Sequence, residues 1–260
     1  MSAYNAIFRF TTVASLNVSM RRICEGIMPG WLFRIFCGLT NPDVPDRRSY
    51  SPSFRPYEVD IAFVAMKKAI AGRTLVGPEP LWILYTLARQ SLSVPGSFFE
   101  AGVYKGGTAK MLHDIMQAAG SLKTLHLFDS FTGMPETDKE ADLHKKGDFQ
   151  DTSLESVTAW IGQGNVIYHQ GWLPDTFAGL EDEKIAFSHI DVDIKSSVRG
   201  CCEFIYPRLV PGGVMIFDDY GHVTCPGARA AVDEFFADKP EKPLVLAHGQ
   251  AIVFKLTELR

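Results

Sequence analysis

No stretch of the 260 residues approaches the roughly 18 apolar residues of a bilayer span, so no membrane-spanning segment is expected. No long basic run is present and the formal net charge is -4, which leaves no footprint for a nucleic-acid partner. Cysteine is sparse. Cys24, Cys37, Cys201, Cys202 and Cys225 are odd in number and lack the spacing of a zinc site. A reduced, cytoplasmic compartment suits that usage, and the adjacent Cys201 and Cys202 are expected to pack as small apolar groups in a helix. The G-x-G-x-x-G loop of dinucleotide-binding proteins is missing, as is a catalytic Tyr-Lys pair. Both gaps argue against an NAD(P)-dependent sugar oxidoreductase. What remains is 46% hydrophobic and 22% charged, the balance of an ordinary folded domain.

The chain changes character along its length. Residues 1–42 carry four arginines (Arg9, Arg21, Arg22, Arg34) against one acid, Glu25, among many apolar residues. That bias suits a helical lid or a contact in a homo-oligomer; it also suits an amphipathic segment in peripheral contact with a membrane surface. Residues 1–56 are expected to form an N-terminal helical extension that ends in the proline-rich linker 41–57. A helical pair follows over 57–94. Its first helix runs from Tyr57 to Ala71, with Val59, Phe63, Met66 and Ile70 at helical spacing, and Gly77-Pro78 opens the second. From residue 95 to 260, short apolar strands alternate with helices, and residues 244–254 close the chain as a hairpin. Such alternation predicts an α/β fold with parallel strands and ligands beyond the strands' carboxyl ends. Chemistry is therefore expected just after Phe99, Phe128, Ile190 and Phe217. The polar loop 131–151 is long enough to suggest a role there.

Three groups of residues carry that chemistry. Glu100, Gly102, Val103, Tyr104, Gly106 and Gly107 form a strand end, an acid and a glycine turn leading into a helix. Glycines allow a ligand close to the backbone. A carboxylate there repels a pyrophosphate and attracts an ammonium, as in S-adenosylmethionine (SAM). Asp129 ends the second strand, where it reads either as a ligand of ribose hydroxyls or as a turn cap. Asp191 and Asp193 follow one very apolar strand, and Asp218 and Asp219 another. Carboxylates converging at one sheet edge repel unless a cation joins them, and oxygen ligands favour Mg2+ or another hard divalent ion. Solvated or capping acids are the plainer alternative. His189 reads as a base beside Asp191 or as a buried structural histidine, and His222 as a substrate contact on a loop.

The segments EAGVYKGG (100–107), FDSFTGMP (128–135), GDF (147–149), QGWLPDTF (170–177), HIDVDIKSS (189–197) and YPRLVPGGVMIFDDYG (206–221) occur in this order. Together they resemble the macrocin O-methyltransferase (TylF) family over roughly residues 57–256. The resemblance implies a Rossmann-like class I methyltransferase fold: a mostly parallel seven-stranded sheet, a C-terminal antiparallel hairpin and an N-terminal helical lid. It implies SAM- and Mg2+-dependent O-methylation of a sugar hydroxyl, on a glycan or a glycosylated natural product. A catechol-like acceptor, or a SAM-binding partner protein without catalysis, is the alternative. Glu100, Gly102, Val103, Tyr104 and Gly106, helped by Thr74 and Leu75, would hold the methionine part of SAM. Asp129 and Ser130 would hold the ribose, with Phe131 also at the cofactor, Asp148 and Phe149 would lie by the adenine, and Trp172 would stand nearby. Asp191, Asp218 and Asp219 would bind the metal, and Asp191 or Asp193 would be the base. Lys195 departs from the aromatic residue common in that family, which bears on the acceptor contacts.

Overall fold

The computed structural model describes residues 54–162 and 164–256, which belong, but for Phe54 and Arg55, to the unit Pro56–Arg260. The expectations for residues 1–42 lie outside the described residues. Among those described, no helix is long and apolar enough to cross a membrane.

The first helical stretch is broken. α1 (Pro56–Val59) stops at Asp60, whose side chain accepts the Phe63 N–H at 2.8 Å and so starts α2 (Ile61–Ala69) as its N-cap. One continuous helix from Tyr57 to Ala71 is therefore replaced by two, and Val59 is exposed while Phe63 and Ile70 are buried. α3 (Pro78–Ser91) begins after Gly77 with proline in its first turn. It buries Leu81, Leu84, Tyr85 and Ala88.

Alternation then takes over: β1 (Ser97–Ala101), α4 (Gly107–Ala118), β2 (Leu125–Asp129), α5 (Leu154–Ile161), β3 (Val166–Gln170), β4 (Ile185–Ile190), α6 (Lys195–Ile205), β5 (Leu209–Phe217), α7 (Pro226–Phe236), β6 (Leu244–Val245) and β7 (Ala251–Phe254). The seven strands lie in the order β3-β2-β1-β4-β5-β7-β6. The pairs from β3 to β5 are parallel, whereas β7 is antiparallel to both β5 and β6. This is the Rossmann-like sheet with a C-terminal antiparallel hairpin.

Period-two alternation gives the inner strands β1, β2, β4 and β5 two buried faces. Phe98, Leu125, Leu127, Phe187, Val214 and Ile216 pack against α3 and α4 through Leu84, Ala88, Met111 and Leu112. Phe99, Phe128, Met215, Phe217 and Val253 pack on the other face against Cys201, Cys202, Ile205, Ala231 and Val232 of α6 and α7. Each fully buried phenylalanine is worth roughly 1.5–3 kcal/mol. Cys201 and Cys202 are free thiols inside this second core, and burial pushes both thiols up. In the 57–94 pair, α3 is thus a layer of the core. The loop after α2, Arg73–Gly77, and the first turn of α3, through Glu79 and Pro80, border the cavity described next.

Candidate active site

A cavity of about 480 Å3 opens at the carboxyl ends of β1, β2, β4 and β5, within the size range of small-molecule sites. The β1 turn lines it with Gly102, Val103 and Tyr104. Gly102 has φ +86°, and a Cβ on it would lie 1.7 Å from the Asp191 carbonyl oxygen. The turns after β1 and β4 therefore touch through backbone. Gly107 allows a similar approach by the loop Arg73–Gly77: its N–H donates to the Arg73 carbonyl at 3.0 Å. Arg73 pins that loop, with its guanidinium 4.4 Å over the Trp160 ring and donating to the Lys105 carbonyl.

Asp129 holds the glycine turn. Its Oδ2 accepts the N–H groups of Val103 and Tyr104, both at 2.8 Å, and its Oδ1 accepts that of Phe131 at 2.6 Å. The turn-cap alternative is thus realised, and the carboxylate still borders the cavity. Ser130 borders it too, with its hydroxyl donating to the Gly133 carbonyl. Thr74, Leu75, Phe149 and Trp172 lie in the wall as expected for cavity residues. Phe149 stands edge-on to Tyr104 at 5.7 Å.

Four of the expected cofactor residues lie elsewhere. Phe131 is buried in the first core, because a left-handed φ of 54° turns its ring inward. Gly106 caps α4 against Val157. Asp148 turns away, accepting from the Lys145 N–H and contacting the His144 ring. Glu100, expected to face an ammonium group, is fully buried behind the turn, where its Oε1 meets His189 Nδ1 at 2.9 Å. Register dictates that meeting, since Glu100 and His189 are paired across β1 and β4.

Asp191, Asp193, Asp218 and Asp219 all line the cavity. Ile190 and Phe217 are paired across β4 and β5, so Asp191 and Asp218 leave the sheet side by side. Burial and the neighbouring Asp219 and Asp218 push the Asp191 carboxyl well above the usual range. Burial and Asp193 do the same to Asp219. Burial also raises Asp193, against the pull of His144. Asp218 goes the other way: burial acts to raise it, but the hydrogen bond and charge of His189 outweigh that and hold it low. His189 is in turn held well above its ordinary range, because the Asp218 and Glu100 contacts outweigh burial. It is the structural histidine of the two alternatives.

Among the described residues, two sets of ligand atoms lie within 4.8 Å of one another: His189, Asp191 and Asp218, and His144, Asp193 and Cys225. Asp219 belongs to neither, because its Oδ2 accepts the Asp193 N–H at 2.9 Å and its Oδ1 lies 3.8 Å from Cys225 Sγ. The expected trio Asp191, Asp218 and Asp219 therefore shares one cavity without sharing one tight cluster. His144, Thr224 and His248 also line the cavity without having been singled out, and His222 stands there as the loop reading suggested. His144 lies in the long loop already flagged by its length. Lys195 is not in the wall, and its ammonium pairs with Glu234 at 2.7 Å.

The family described as Macrocin-O-methyltransferase (TylF) matches residues 58–255. A tetracenomycin enzyme of Streptomyces olivaceus, 8-demethyl-8-(2,3-dimethoxy-alpha-L-rhamnosyl)-tetracenomycin-C 4'-O-methyltransferase, is 32% identical over 155 residues. That alignment takes in 55% of this chain and 58% of the relative, so the chain spans little over half of that relative's length. Mycinamicin III 3''-O-methyltransferase of Micromonospora griseorubida is 31% identical over 179 residues, 62% of this chain and 69% of the relative. The solved structure of the O-methyltransferase NovP superposes with a TM-score of 0.65 at 25% identity, covering 71% of this chain and 83% of that one.

Proposed function

Because the chain belongs to the macrocin O-methyltransferase (TylF) family, we propose that it transfers a methyl group from SAM to a hydroxyl of a sugar, with a hard divalent cation, Mg2+ first, in the site. The observation that carries this reading is the single cavity shared by the β1 glycine turn and the four carboxylates of the β4 and β5 tips. The names of two relatives speak for a sugar, since one carries a rhamnosyl group in its name and the other acts on mycinamicin III.

The residues present suit a cation. Among the described residues Arg73 is the one Lys or Arg side chain in the wall, and it is engaged with Lys105 and Trp160. Among the described residues the four strand-tip carboxylates meet no Lys or Arg, His189 is shared by Asp218 and Glu100, and Asp191 and Asp218 offer oxygens within 4.8 Å of each other. Asp191 and Asp218 would hold the ion, with Asp219 behind them. When bound, Mg2+ supplies positive charge that lowers the pKa of an acceptor hydroxyl. SAM supplies the activated methyl group. Gly102, Val103, Tyr104, Thr74 and Leu75 would border its methionine part, Asp129 and Ser130 its ribose, and Phe149 its adenine. Trp172 and His222 would border the acceptor.

Asp193 is the base in this scheme. Burial raises its carboxyl, which favours taking a proton from the acceptor hydroxyl. Its contacts with His144 Nε2 at 3.6 Å and Cys225 Sγ at 3.4 Å hold the carboxylate in place. The test is methyl transfer from SAM to a panel of glycosides, read by mass spectrometry. EDTA is expected to abolish it and added Mg2+ to restore it. Full activity in chelator would remove the cation from the scheme, and SAM binding without turnover on any sugar or catechol would make the chain a binding protein.

A further inference from the structure

Glu100 is fully buried, has no place in the cavity wall, and among the described residues its Oε2 has no hydrogen-bond partner. A buried carboxylate is costly unless compensated, so its one partner matters. That partner, His189, stands between two acids: Nδ1 is 2.9 Å from Glu100 Oε1 and Nε2 is 3.4 Å from Asp218 Oδ1. Each ring nitrogen thus faces a carboxylate oxygen, an arrangement that suits a donor on either side of the ring. Gln250, 1% exposed, donates to the same Asp218 Oδ1 at 2.7 Å. Both contacts go to Oδ1, and among the described residues no hydrogen bond reaches Oδ2. Two donors on one oxygen fix the rotation of the Asp218 carboxylate. The strands make this arrangement: Glu100 faces His189 across β1 and β4, His189 is paired with Ile216 of β5, and Asp218 follows Ile216 by two residues on the same face.

Resting on the reading of Asp218 as a cation ligand, we propose that Glu100 and His189 are positioning residues for the cation: Glu100 holds the His189 ring, and His189 with Gln250 holds Asp218 so that Oδ2 is the oxygen it offers. The acid of the glycine turn then serves the cation and not the ammonium group of SAM. Outer partners of this kind orient metal-binding side chains, and their loss costs roughly 10–100-fold in metal affinity.

Two substitutions separate the ring nitrogens. His189→Asn keeps a donor near the Nδ1 position and loses the one facing Asp218. His189→Gln reaches the Nε2 position and keeps it. Mn2+ is the probe, followed on the full chain by the paramagnetic resonance signal of the free ion; SAM affinity is measured by calorimetry in chelator. His189→Asn is expected to weaken Mn2+ binding by roughly 10–100-fold, and His189→Gln by much less. Glu100→Gln is expected to weaken Mn2+ and leave SAM affinity in chelator unchanged. Equal losses in the two His189 variants would overturn the positioning role, since an imidazole that is itself a ligand, or merely structural, fails both ways. A loss of SAM affinity in Glu100→Gln with Mn2+ binding intact would overturn the role given to Glu100. If neither His189 variant folds, Gln250→Met removes the other donor on Oδ1. Weaker Mn2+ binding with an unchanged melting curve would then support the scheme, and unchanged Mn2+ affinity would overturn it. A wild-type chain that binds no Mn2+ ends the functional reading itself, which is a separate result.

Discussion

Replacing Asp129 by asparagine tests how the glycine turn is held. The carboxylate accepts three backbone N–H groups, two on Oδ2 and one on Oδ1. Hydrogen bonds to a charged acceptor are worth about 1.5–3 kcal/mol each, against about 1 for neutral pairs. Asparagine can keep its carbonyl oxygen towards Val103 and Tyr104. It must then turn its NH2 towards the Phe131 N–H, donor against donor. One charged bond is lost and two are weakened, while water entering from the cavity offsets part of the loss. The net cost is about 2 kcal/mol. For a chain of this size that lowers the melting temperature by about 4–8 °C. Calorimetry checks the melting point, and amide exchange at Val103 and Tyr104 checks the cause. SAM affinity should fall in the same variant, because those two residues lie in the cavity wall. Native melting with unchanged protection of both amides, whatever happens to SAM, would refute Asp129 as the anchor of the turn.

Gly102→Ala places a Cβ 1.7 Å from the Asp191 carbonyl oxygen, at a φ that L residues avoid. The strand tips must separate, at a cost above about 4 kcal/mol, so calorimetry should find a much less stable chain; a native melting curve would mean that the tips are not in contact. Asp193→Asn is expected to lower kcat by roughly 10^2–10^4-fold with SAM binding intact, and a kcat within a few-fold of wild type would deny it the role of base. His126 gives a pH dependence. Burial lowers its pKa to about 4, against about 6.5 in the unfolded chain. Between those values the unfolded chain binds the extra proton, so stability falls as pH drops from about 6.5 to about 4, by up to about 3 kcal/mol. Urea midpoints at pH 7 and pH 5 should move less in His126→Phe than in wild type; equal movement would assign the acid sensitivity to other groups.

The order of elements was legible in the sequence because strands buried on both faces read as short apolar runs between helical periods. Ile185–Ile190, which forms β4, and Leu154–Ile161, with Leu154, Val157 and Ile161 at helical spacing in α5, are examples. Misreadings came where a side chain or a glycine pair overrides periodicity. Asp60 splits the first helix by capping its second part. β5 starts at Leu209, ahead of the apolar run Val214–Phe217, because Pro211 and Gly212 disguise a segment that the Gly212 N–H and the Lys255 carbonyl tie to the chain near β7. In the site, the acids at the strand tips were legible from the rule that parallel strands end together. The partner of Glu100 was not. It lies 89 residues away, and only the strand order β1-β4 and its register bring the two together.

That register also sets how firmly the two acid pairs are held at the edge of the sheet. Ile190 and Phe217 are the last paired residues of β4 and β5, and the Asp218 N–H still donates to the Ile190 carbonyl at 2.9 Å. The Asp191 N–H likewise donates to the Ala101 carbonyl at 2.8 Å. Each first acid of a pair is thus the final residue tied to the sheet, so its Cα is as fixed as the core beneath it. The second acids sit one step further out. Asp193 has a left-handed φ of 58°, and its N–H is held by Asp219. A ligand needs a rigid seat, and a base needs reach towards an acceptor. The first acids have the seat and Asp193 has the reach, which suits the division of roles proposed above for residues only two positions apart.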